Sequence, residues 1–385
     1  MKALLLSNLY PSKREPTRGV FNQQVFGALS ALCDVRVVSP RPWWTRLKLP
    51  QELLTIPQET ANGVTASYPS FWGMPGFGVR FNGKAMHASL LPHLKQIRRE
   101  FPFDIILAAW VYPDAYAAVR LGQDFGCPVV TNLMGSDIND LATRPELKEQ
   151  IQWALQQSQH VIAVSEALRD RVVGLGVAPE RVTVQHNGVN GERFALGERD
   201  QARAELGLPL DRKLIVYIGN FFPVKGTDIL VEAMAHLAKR SPDADLLLVG
   251  SGELEESLRA RVQALALESR VRFCGRQPHA QIPLWMRAGD VFCLPSRNEG
   301  CPNVILEALA SGRPVVASHV GGIPELLHAD NGILVPVANP EALAQGLHEA
   351  LERTWSPAAL RQTVEYLSWE DVGQAYHKIL REALP

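Results

Sequence analysis

The sequence predicts an α/β protein built from two doubly wound domains, each a parallel sheet with helices on both faces. Short apolar runs alternate with longer helical patterns almost from end to end, as in β-α units. The alternation is interrupted once, by a polar and charged stretch at 191–212. With 385 residues, 46% of them hydrophobic, the chain is also longer than a single core favours, so two domains are expected.

Six strand candidates define each domain. In the first domain they lie at 3–6, 35–38, 105–109, 129–132, 161–164 and 182–185, with amphipathic helices at 22–32, 145–158 and 165–175 among them. In the second domain they lie at 214–218, 245–249, 271–274, 291–294, 314–317 and 332–335. We place the boundary between about 190 and 212. The predicted organisation is a first domain at 1–195, a second at 205–365, and an amphipathic helix within 366–385.

Composition excludes several classes of function. With 39 Lys and Arg against 40 Asp and Glu, the net charge of -1 gives no global attraction to nucleic acid or to an anionic membrane, so any such attraction must come from a local patch. The apolar run at 3–6 is too short for a signal peptide, and no later run reaches the roughly 18 residues of a membrane span. A cytoplasmic protein is therefore predicted. The five cysteines lack Cys-x-x-Cys spacing, which favours reduced core thiols over disulfides or a metal site.

The loops that follow strands are the candidate binding segments, because open parallel sheets bind ligands beyond the carboxyl ends of their strands. In YIGNFFPVKGTDILVEA, Lys225 precedes a helix start and suits a diphosphate, although a solvated surface lysine fits the loop equally well. In LVGSGELEESL, Gly250 and Gly252 let the backbone approach a ligand. The third glycine of a dinucleotide fingerprint is missing there, so NAD binding is poorly supported.

The most specific pattern is SRNEGCPNVILEALASGRPVV at 296–316. Pro302 suits the first turn of a helix, which leaves the amides of Asn303 and Val304 as free donors for phosphate oxygens. Glu307, inside that helix, can accept hydrogen bonds from two vicinal hydroxyls such as those of a ribose. Glu299, in the loop, is expected to be free to meet another hydroxylated group. Both glutamates are therefore predicted to bind substrate.

These residues resemble a known family of enzymes. Glu299 and Glu307 within EGCPNVILEALASGRPVVAS match the Glu-x7-Glu motif of retaining glycosyltransferases of family 4. SNLYPSKREPTRGVFNQQ, MGSDIN, VIAVSEALRDRV, VQHNGVN and GNFFPVKG also agree with that family, in its order and over nearly the whole chain. The chain is similar to bacterial enzymes of teichuronic-acid and exopolysaccharide synthesis. The resemblance implies the GT-B fold, two Rossmann-like domains facing a cleft, with the final helix crossing back to the first domain.

The resemblance also implies an activity and a set of site residues. The donor would be a UDP- or GDP-linked sugar, transferred with retention and without a metal or cofactor to a glycan or polyprenyl-diphosphate-linked acceptor. Lys225, Glu299 and Asp137 would be catalytic, and Ser136 with Asp137 would line the acceptor side. Lys225 would hold the diphosphate, Glu307 the ribose, and Glu299 with the following loop the sugar and phosphates. The implied donor contacts are Gly19, Asn220, Lys225, Gly250, Arg276, Glu299, Gly300, Cys301, Pro302, Asn303, Val304 and Glu307.

Two positions depart from the family pattern. Asn220 stands where many relatives have an arginine on the diphosphate, and Met134 stands where many have a histidine near the reacting sugar. Because the first departure removes a full charge, Lys225 and the helix amides would carry more of the leaving-group stabilisation, or Arg18 or Arg297 would help. The second departure removes a polar donor and affects the contacts to the donor sugar.

The acceptor side is open to two interpretations. Leu90, Leu91, Leu94 and Ile97 fall at helical spacing among the cations Arg80, Lys84, Lys95, Arg98 and Arg99. In the favoured interpretation this helix packs on the first sheet and its basic face is simply solvated. In the other, a basic surface docks on the inner face of an anionic membrane, with Trp43 and Trp44 beside Arg46 and Lys48 at the lipid interface.

Two other classes of function compete with a transferase. Nucleotide-sugar epimerases share the two-domain architecture and bind the donor without an acceptor. A two-lobed sugar-binding protein would lack catalysis and would normally carry an export signal. The Glu-x7-Glu helix together with Lys225 and Gly226 favours the transferase.

Overall fold

The computed structural model describes residues 1–46, 56–61 and 63–385, and the chain divides into two compact units. Unit 1 comprises Met1–His186 and Trp369–Pro385, and unit 2 comprises Asn187–Ser368. Each unit is a sheet with helices on both faces.

Unit 1 contains an eight-stranded sheet in the order β10-β9-β8-β7-β1-β2-β5-β4, in which only β4 is antiparallel to its neighbour. A separate parallel pair joins β3 and β6. The strands are β1 Lys2–Leu6, β2 Asp34–Val38, β3 Arg41–Pro42, β4 Gln58–Ala61, β5 Val64–Ser67, β6 Ser70–Phe71, β7 Ile105–Ala109, β8 Val129–Leu133, β9 His160–Ala163 and β10 Val182–Val184.

The sheet of unit 1 is covered on both faces. Its first six helices are α1 Val20–Ser30, α2 Asn82–Glu100, α3 Tyr116–Phe125, α4 Ser136–Asn139, α5 Pro145–Gln157 and α6 Glu166–Gly174. In β1, Ala3 and Leu5 join the core under α1, whereas Leu4 and Leu6 join the core under α2 and α3. All four side chains are fully buried, which explains why a central parallel strand is a continuous apolar run.

Unit 2 contains a six-stranded, wholly parallel sheet in the order β13-β12-β11-β14-β15-β16. Its strands are β11 Lys213–Ile218, β12 Ala244–Val249, β13 Val271–Gly275, β14 Val291–Leu294, β15 Val315–Ser318 and β16 Gly332–Val335. Its helices are α7 Arg199–Leu206, α8 Thr227–Leu237, α9 Glu255–Ala264, α10 Ile282–Ala288, α11 Asn303–Ala310, α12 Ile323–Leu326, α13 Pro340–Glu352 and α14 Pro357–Gln362.

The strand order of unit 2 reverses between β11 and β14, which lie side by side through the pairs Ile215 with Val291 and Val216 with Phe292. The crevice outside such a reversal is where doubly wound sheets bind ligands. The loops after β11 and β14 carry Lys225 and Glu299, so the topology places both motifs at this point.

The last helix, α15 Trp369–Glu382, belongs to unit 1 and packs on α1. Gly373 lies so close to Ala28 that an added Cβ would come within 2.6 Å of the Ala28 side chain. The Tyr376 hydroxyl donates to Asn132 Oδ1 on β8 at 2.9 Å. These contacts join the C-terminus of the chain to the first sheet.

All twelve predicted strands are present, within one or two residues of their predicted limits. The short pair β3 and β6 and the strands β4 and β5 were not predicted, because QETA and VTAS are too polar or too small to form an apolar run. Unit 2 begins at Asn187, before the interval given for the boundary, since Val189 N donates to Leu367 O at 2.7 Å and ties this segment to unit 2. The final helix begins at Trp369 rather than 366.

The five cysteines are free thiols, as predicted, but only Cys293 and Cys301 are buried, and the other three are partly buried. Across residues 1–46, 56–61 and 63–385, no helix combines the length and apolarity needed to cross a membrane.

Candidate functional site

The loop after β11 packs directly on the loop after β14. A short turn, Pro223–Lys225, leads into Gly226, which precedes α8 with a φ of 67°. A Cβ at Gly226 would lie 2.0 Å from Pro295 O, so the contact requires glycine for space as well as for conformation. This packing brings Lys225 to the segment that carries Glu299.

Lys225 and Glu299 form an ion pair. Lys225 Nζ lies 2.7 Å from Glu299 Oε1, and the buried Ser296 hydroxyl donates to the same oxygen at 2.7 Å. The Glu299 side chain is only 9% exposed, whereas that of Lys225 is 31% exposed. The expectation that Glu299 is free is therefore wrong, because its carboxylate already accepts from a lysine and a serine.

Arg297 connects the same two loops and has its own partner. Its amide donates to Val224 O at 2.8 Å. Its guanidinium donates two hydrogen bonds to the Asp228 carboxylate, at 2.8 and 2.6 Å. Burial alone would raise the pKa of Asp228, but the hydrogen bonds and charge of Arg297 bring that pKa below its ordinary value. Arg297 is thus neutralised by Asp228, which does not support its use as a spare cation for a diphosphate.

The N-terminus of α11 presents free donors at the predicted place. The helix begins at Asn303, and Pro302 precedes it in an extended conformation without a side-chain cap. Asn187 Nδ2 donates to Asn303 Oδ1 at 2.7 Å and to Cys301 O at 3.2 Å, which fixes the loop ahead of the helix. In the part of the chain that the structure describes, the amides of Asn303 and Val304 meet no protein acceptor. Such amides bind anions.

Glu307 lies in the second turn of α11 and is partly buried. Burial raises the pKa of its carboxyl to about 7, although the charge of Arg193 opposes this shift. Among the described residues, no hydrogen bond or ion pair to the Glu307 carboxylate is formed. Both of its oxygens are therefore available to hydroxyl donors from a ligand.

The glycines after β12 bring protein loops together. A Cβ at Gly250 would lie 1.8 Å from Gly219 O, and a Cβ at Gly252 would lie 2.5 Å from Phe221 O. These contacts account for both glycines through packing of the loops after β11 and β12. Asn220 and Arg276 are exposed at the same edge of the sheet, after β11 and β13 respectively.

Sequence reasoning gave no role to Ser296 or Tyr217. Ser296 is fully buried and holds Glu299, and the Tyr217 hydroxyl donates to Asn220 O at 2.8 Å. Burial, helped by the charge of Glu299, raises the pKa of Tyr217 above its usual range. A hydroxyl three residues before Glu299 was the one available signal, since that spacing suits a local side-chain contact.

In unit 1, Gly19 precedes α1 with a φ of 64°, and a Cβ there would lie 2.2 Å from Leu9 O. The glycine is required by this close approach within its own loop. Arg18 donates to Asn8 O at 2.9 Å and pairs with Glu15 at 3.2 Å. Its guanidinium therefore holds the loop after β1, which does not support a role as a second cation on the diphosphate.

Asp137 does not have the place that was expected for a catalytic or acceptor-binding group. Its carboxylate is fully buried and accepts from the amides of Gly135, Met134 and Val111 at 2.8, 3.1 and 3.2 Å. Burial raises its pKa to about 6 even though these bonds oppose the shift. Asp137 shapes the loop after β8, while Ser136 beside it is exposed and remains accessible to a ligand.

The chain has two Rossmann-like units, and the second carries the two glutamates of the motif and a lysine at its strand reversal. This combination defines a glycosyltransferase of the GT-B fold. Residues 198–365 match the family Glycosyl transferases group 1, and residues 24–193 match Glycosyltransferase Family 4. The chain is 30% identical over 370 residues to the putative teichuronic acid biosynthesis glycosyltransferase TuaC of Bacillus subtilis, covering 93% of this chain and 91% of that protein. The chain belongs to glycosyltransferase family 4, as its motifs predicted.

Other known proteins agree with this assignment. N-acetyl-alpha-D-glucosaminyl L-malate synthase of Bacillus anthracis is 30% identical over 304 residues, covering 77% of this chain and 79% of that protein. Anabaena HepE, solved in complex with UDP, matches 99% of this chain and 100% of its own with a TM-score of 0.77 at 22% identity. Sucrose-phosphate synthase from Thermosynechococcus elongatus matches 99% of each chain with a TM-score of 0.79 at 21% identity. The structural matches confirm the predicted fold class.

Proposed function

We propose that this glycosyltransferase moves a sugar from a UDP- or GDP-sugar to an acceptor of cell-envelope or exopolysaccharide synthesis, with retention and without a required metal. One observation carries the proposal. Lys225 and Glu299 lie on two adjoining loops at the strand reversal of unit 2, next to α11, which carries the free amides of Asn303 and Val304 and a Glu307 carboxylate that has no partner among the described residues. This arrangement combines donors for a diphosphate with an acceptor for sugar hydroxyls.

The donor would lie along α11. Its diphosphate meets the amides of Asn303 and Val304 and the Lys225 ammonium, and the ribose hydroxyls donate to Glu307. The HepE structures that contain UDP and UDP-glucose support a nucleotide-sugar donor for this fold. Glu299 orients Lys225 through their ion pair and lies beside the place proposed for the transferred sugar.

The chemistry needs charge stabilisation more than a protein nucleophile. The acceptor hydroxyl oxygen bonds to the anomeric carbon while the bond from that carbon to the phosphate oxygen breaks. The electron pair of that bond moves to the diphosphate, whose oxygen takes the acceptor proton on the same face. Lys225 and the α11 amides stabilise the developing charge. Glu299 is paired and nearly buried, unlike the two carboxylates of a retaining glycosidase, which flank the scissile bond.

The acceptor is proposed to be a glycan or a polyprenyl-diphosphate-linked sugar. The relative from Bacillus subtilis is named for teichuronic acid biosynthesis, which supports an envelope polymer as the class of product. In unit 1 the exposed Ser136, beside the loop that Asp137 shapes, is the acceptor-side residue that this proposal retains.

The test is acceptor-dependent transfer. UDP-glucose, UDP-N-acetylglucosamine and GDP-mannose are each incubated with a polyprenyl-diphosphate-linked sugar and a chelator, with the Lys225→Ala variant alongside. We expect release of one nucleotide only when acceptor is present, and a product whose anomeric configuration matches the donor by NMR. Donor interconversion without acceptor would indicate an epimerase. An inverted product would overturn retention, and loss of activity with the chelator would overturn metal independence.

A further inference from the structure

Three large apolar side chains are exposed close together on unit 1. Trp72 is 69% exposed, Met74 46% and Phe81 45%. Asn82 joins two of them, because it follows Phe81 and exchanges hydrogen bonds with the Met74 backbone at 2.7 and 3.1 Å. Trp72 N donates to Ser89 Oγ at 3.3 Å, which holds this segment against the first turns of α2. We refer to Trp72, Met74 and Phe81 as the apolar surface.

The apolar surface is supported from behind by Trp43. The ring centroids of Trp43 and Trp72 lie 5.4 Å apart, and Trp43 Nε1 donates to Gly73 O at 3.1 Å. Trp43 and Trp44 are themselves only partly exposed. The sequence interpretation placed these two tryptophans at a lipid interface, but the structure exposes Trp72 instead. Lys48, which belonged to that interpretation, lies outside the described residues.

Helix α2 extends away from the apolar surface and has two distinct faces. Leu90, Leu94 and Ile97 are buried in the core of unit 1, as the favoured interpretation expected. The opposite face is exposed and carries the cations Lys84, Lys95 and Arg99. We refer to this exposed side as the basic face.

The segment that carries both features has no acidic residue of its own, although Asp124 of the neighbouring helix α3 pairs with His87 of α2 at 2.6 Å. Residues 60–99 contain no Asp or Glu. Arg80, beside the apolar surface, has its guanidinium 4.7 Å from the centre of the Phe81 ring. Within the described residues, neither Arg80 nor the three cations of the basic face pairs with a carboxylate. Arg98 does not contribute, because it lies inward between the rings of Phe103 and Phe125.

A groove opens next to Arg80. It has a volume of about 720 Å³ and is lined by Gly76, Val79, Arg80, Arg144 and Glu146. Two guanidinium groups face one carboxylate there, although Arg144 also pairs with Asp140 at 2.8 Å. Asp140 and Glu146 together balance the two guanidinium groups, so this groove adds no net positive charge for anionic headgroups.

We propose that the apolar surface and the basic face dock on an anionic lipid bilayer. Exposed Trp, Met and Phe would enter the headgroup region, while Arg80 and the basic face would meet anionic headgroups. A second copy of the chain is disfavoured as the occupant, since a two-fold contact through this region would set cations against cations. A glycan could stack on Trp72, but it would not explain forty residues without an acidic group.

This inference rests on the proposed function and extends it, because a polyprenyl-linked acceptor resides in the bilayer. The apolar surface follows β6, at the end of unit 1 where the chain leaves the carboxyl ends of β5 and β6. A bilayer that contacts both features would lie along α2 and would reach, at the Trp72 end, the edge of the sheet that carries the acceptor-side loops. The transfer reaction would then take place at the bilayer surface.

The experiment is flotation of the full-length protein with two kinds of vesicle, phosphatidylcholine alone and an equimolar mixture with phosphatidylglycerol. We expect binding to the mixed vesicles only. The double variant Trp72→Ala with Phe81→Ala should weaken binding to the mixed vesicles by about tenfold for each side chain removed. The double variant Lys84→Gln with Lys95→Gln should weaken the same binding by roughly fivefold for each charge removed. Tyr366→Ala is the matched aromatic control, since Tyr366 is 66% exposed on unit 2, and Lys239→Gln is the charge control.

Each outcome separates the two proposals. Absence of flotation with the wild type, or equal loss in Tyr366→Ala, would overturn membrane docking. Normal flotation in Trp72→Ala with Phe81→Ala, together with slower transfer to a water-soluble glycan, would show that the apolar surface binds glycan and would also overturn it. UDP binding is measured on the same samples. Flotation without any nucleotide binding would instead remove the proposed function and leave docking in place.

Discussion

Lys225 Nζ and Glu299 Oε1 lie 2.7 Å apart, and the Ser296 hydroxyl donates to the same carboxylate oxygen. Two segments more than seventy positions apart in the chain are thereby joined at one atom. The lysine is held at a fixed place, since its charge is attracted to a nearly buried carboxylate. Lys225 and Glu299 are accordingly expected to act as one unit.

The first prediction concerns this unit. Lys225→Ala should lower kcat/KM for the nucleotide sugar by about 10²–10³-fold, because it removes the cation on the leaving diphosphate. Glu299→Gln should cost less, and the double variant should cost little more than Lys225→Ala alone. Steady-state kinetics on the four proteins of the cycle provide the measurement, with Lys239→Ala as the control. Fully additive effects would show that the two residues act separately.

The second prediction concerns pH and Glu307. Its folded-state pKa of about 7 lies above the ordinary 4.5. Between these two values the Glu307 carboxyl is protonated in the folded protein and ionised in the unfolded chain, so the free energy of unfolding falls as pH rises from 4.5 to 7. Glu307→Gln should therefore raise the free energy of unfolding above pH 7, by about 1 kcal/mol after allowance for partial exposure. Below pH 4.5 that gain should vanish.

Urea unfolding of wild type and Glu307→Gln at several pH values measures this difference. Asp114 and Asp137 also have raised pKa values, of about 7 and about 6, and both proteins share them. Their contributions cancel in the comparison. A stability difference that does not change with pH would contradict the assigned burial of Glu307.

The third prediction concerns the bidentate pair of Arg297 and Asp228. Both side chains are partly exposed, so Arg297→Ala should change stability by less than about 1 kcal/mol. It should nevertheless lower kcat by roughly tenfold, because the loop that holds Lys225 would lose the side-chain contacts that Arg297 adds to the backbone hydrogen bond between the two loops. Arg297→Lys should restore only part of the rate, since an ammonium cannot form the two parallel hydrogen bonds.

Arg297 is a positioning residue in this account, and its test is the separation of kcat from KM across Arg297→Ala, Arg297→Lys and Asp228→Ala. The single and double alanine variants should be similar to one another. A rise in KM alone, seen for Arg297→Ala and not for Asp228→Ala, would show that Arg297 contacts the donor directly.

The fourth prediction compares the stability cost of alanine at two glycines that have the same backbone conformation. Gly226 has a φ of 67° and Gly207 a φ of 62°, but an added Cβ meets Pro295 O at 2.0 Å only at Gly226 and open space at Gly207. Gly207→Ala should cost about 1 kcal/mol for the left-handed backbone, and Gly226→Ala at least about 3 kcal/mol. Thermal or urea unfolding checks the pair. Equal costs would mean that the two loops do not pack as described.

The fifth prediction distinguishes loop shaping from acceptor binding at Asp137. Asp137→Asn replaces one of the two accepting carboxylate oxygens by an NH2 donor, so at least one of the three backbone amides loses its acceptor and the protein should be destabilised by about 1–3 kcal/mol. Asp140→Asn is the control, because Asp140 is exposed and its carboxylate pairs with the exposed Arg144. A variant that folds with wild-type stability and loses only acceptor affinity would restore Asp137 to the acceptor site.

The sequence was most informative where one local property decides the structure. The run from Leu4 to Leu6 was predicted as a strand because a central parallel strand is buried on both faces and is therefore apolar throughout. Strand β4 was missed because it lies at the edge of the sheet, where Gln58 and Glu59 are not fully buried and no apolar run is needed. The spacing of Pro302 and Glu307 likewise placed a helix N-terminus and a carboxylate correctly, since both depend only on the geometry of one helix.

Contacts between distant loops could not be predicted in this way. Lys225, the distant partner of Glu299, lies on the loop after β11, and Asp228, the partner of Arg297, lies at the start of α8. The packing of Gly226 on Pro295 brings both within reach. Asp137 was assigned to the acceptor side through the family resemblance, which gives the position of a residue in the motif but not the direction of its side chain. In the folded protein its carboxylate points inward and accepts hydrogen bonds from backbone amides of its own tight loop. The sequence does not show that these amides lack other acceptors.

The most direct test of the central claim is titration calorimetry of UDP and GDP against the wild type, Glu307→Ala and the exposed control Glu268→Ala. The account predicts that one nucleotide binds the wild type and the control equally. It also predicts that Glu307→Ala weakens that binding by at least about tenfold, because hydrogen bonds from the ribose to a carboxylate are lost. Unchanged affinity in Glu307→Ala would contradict the placement of the donor on α11.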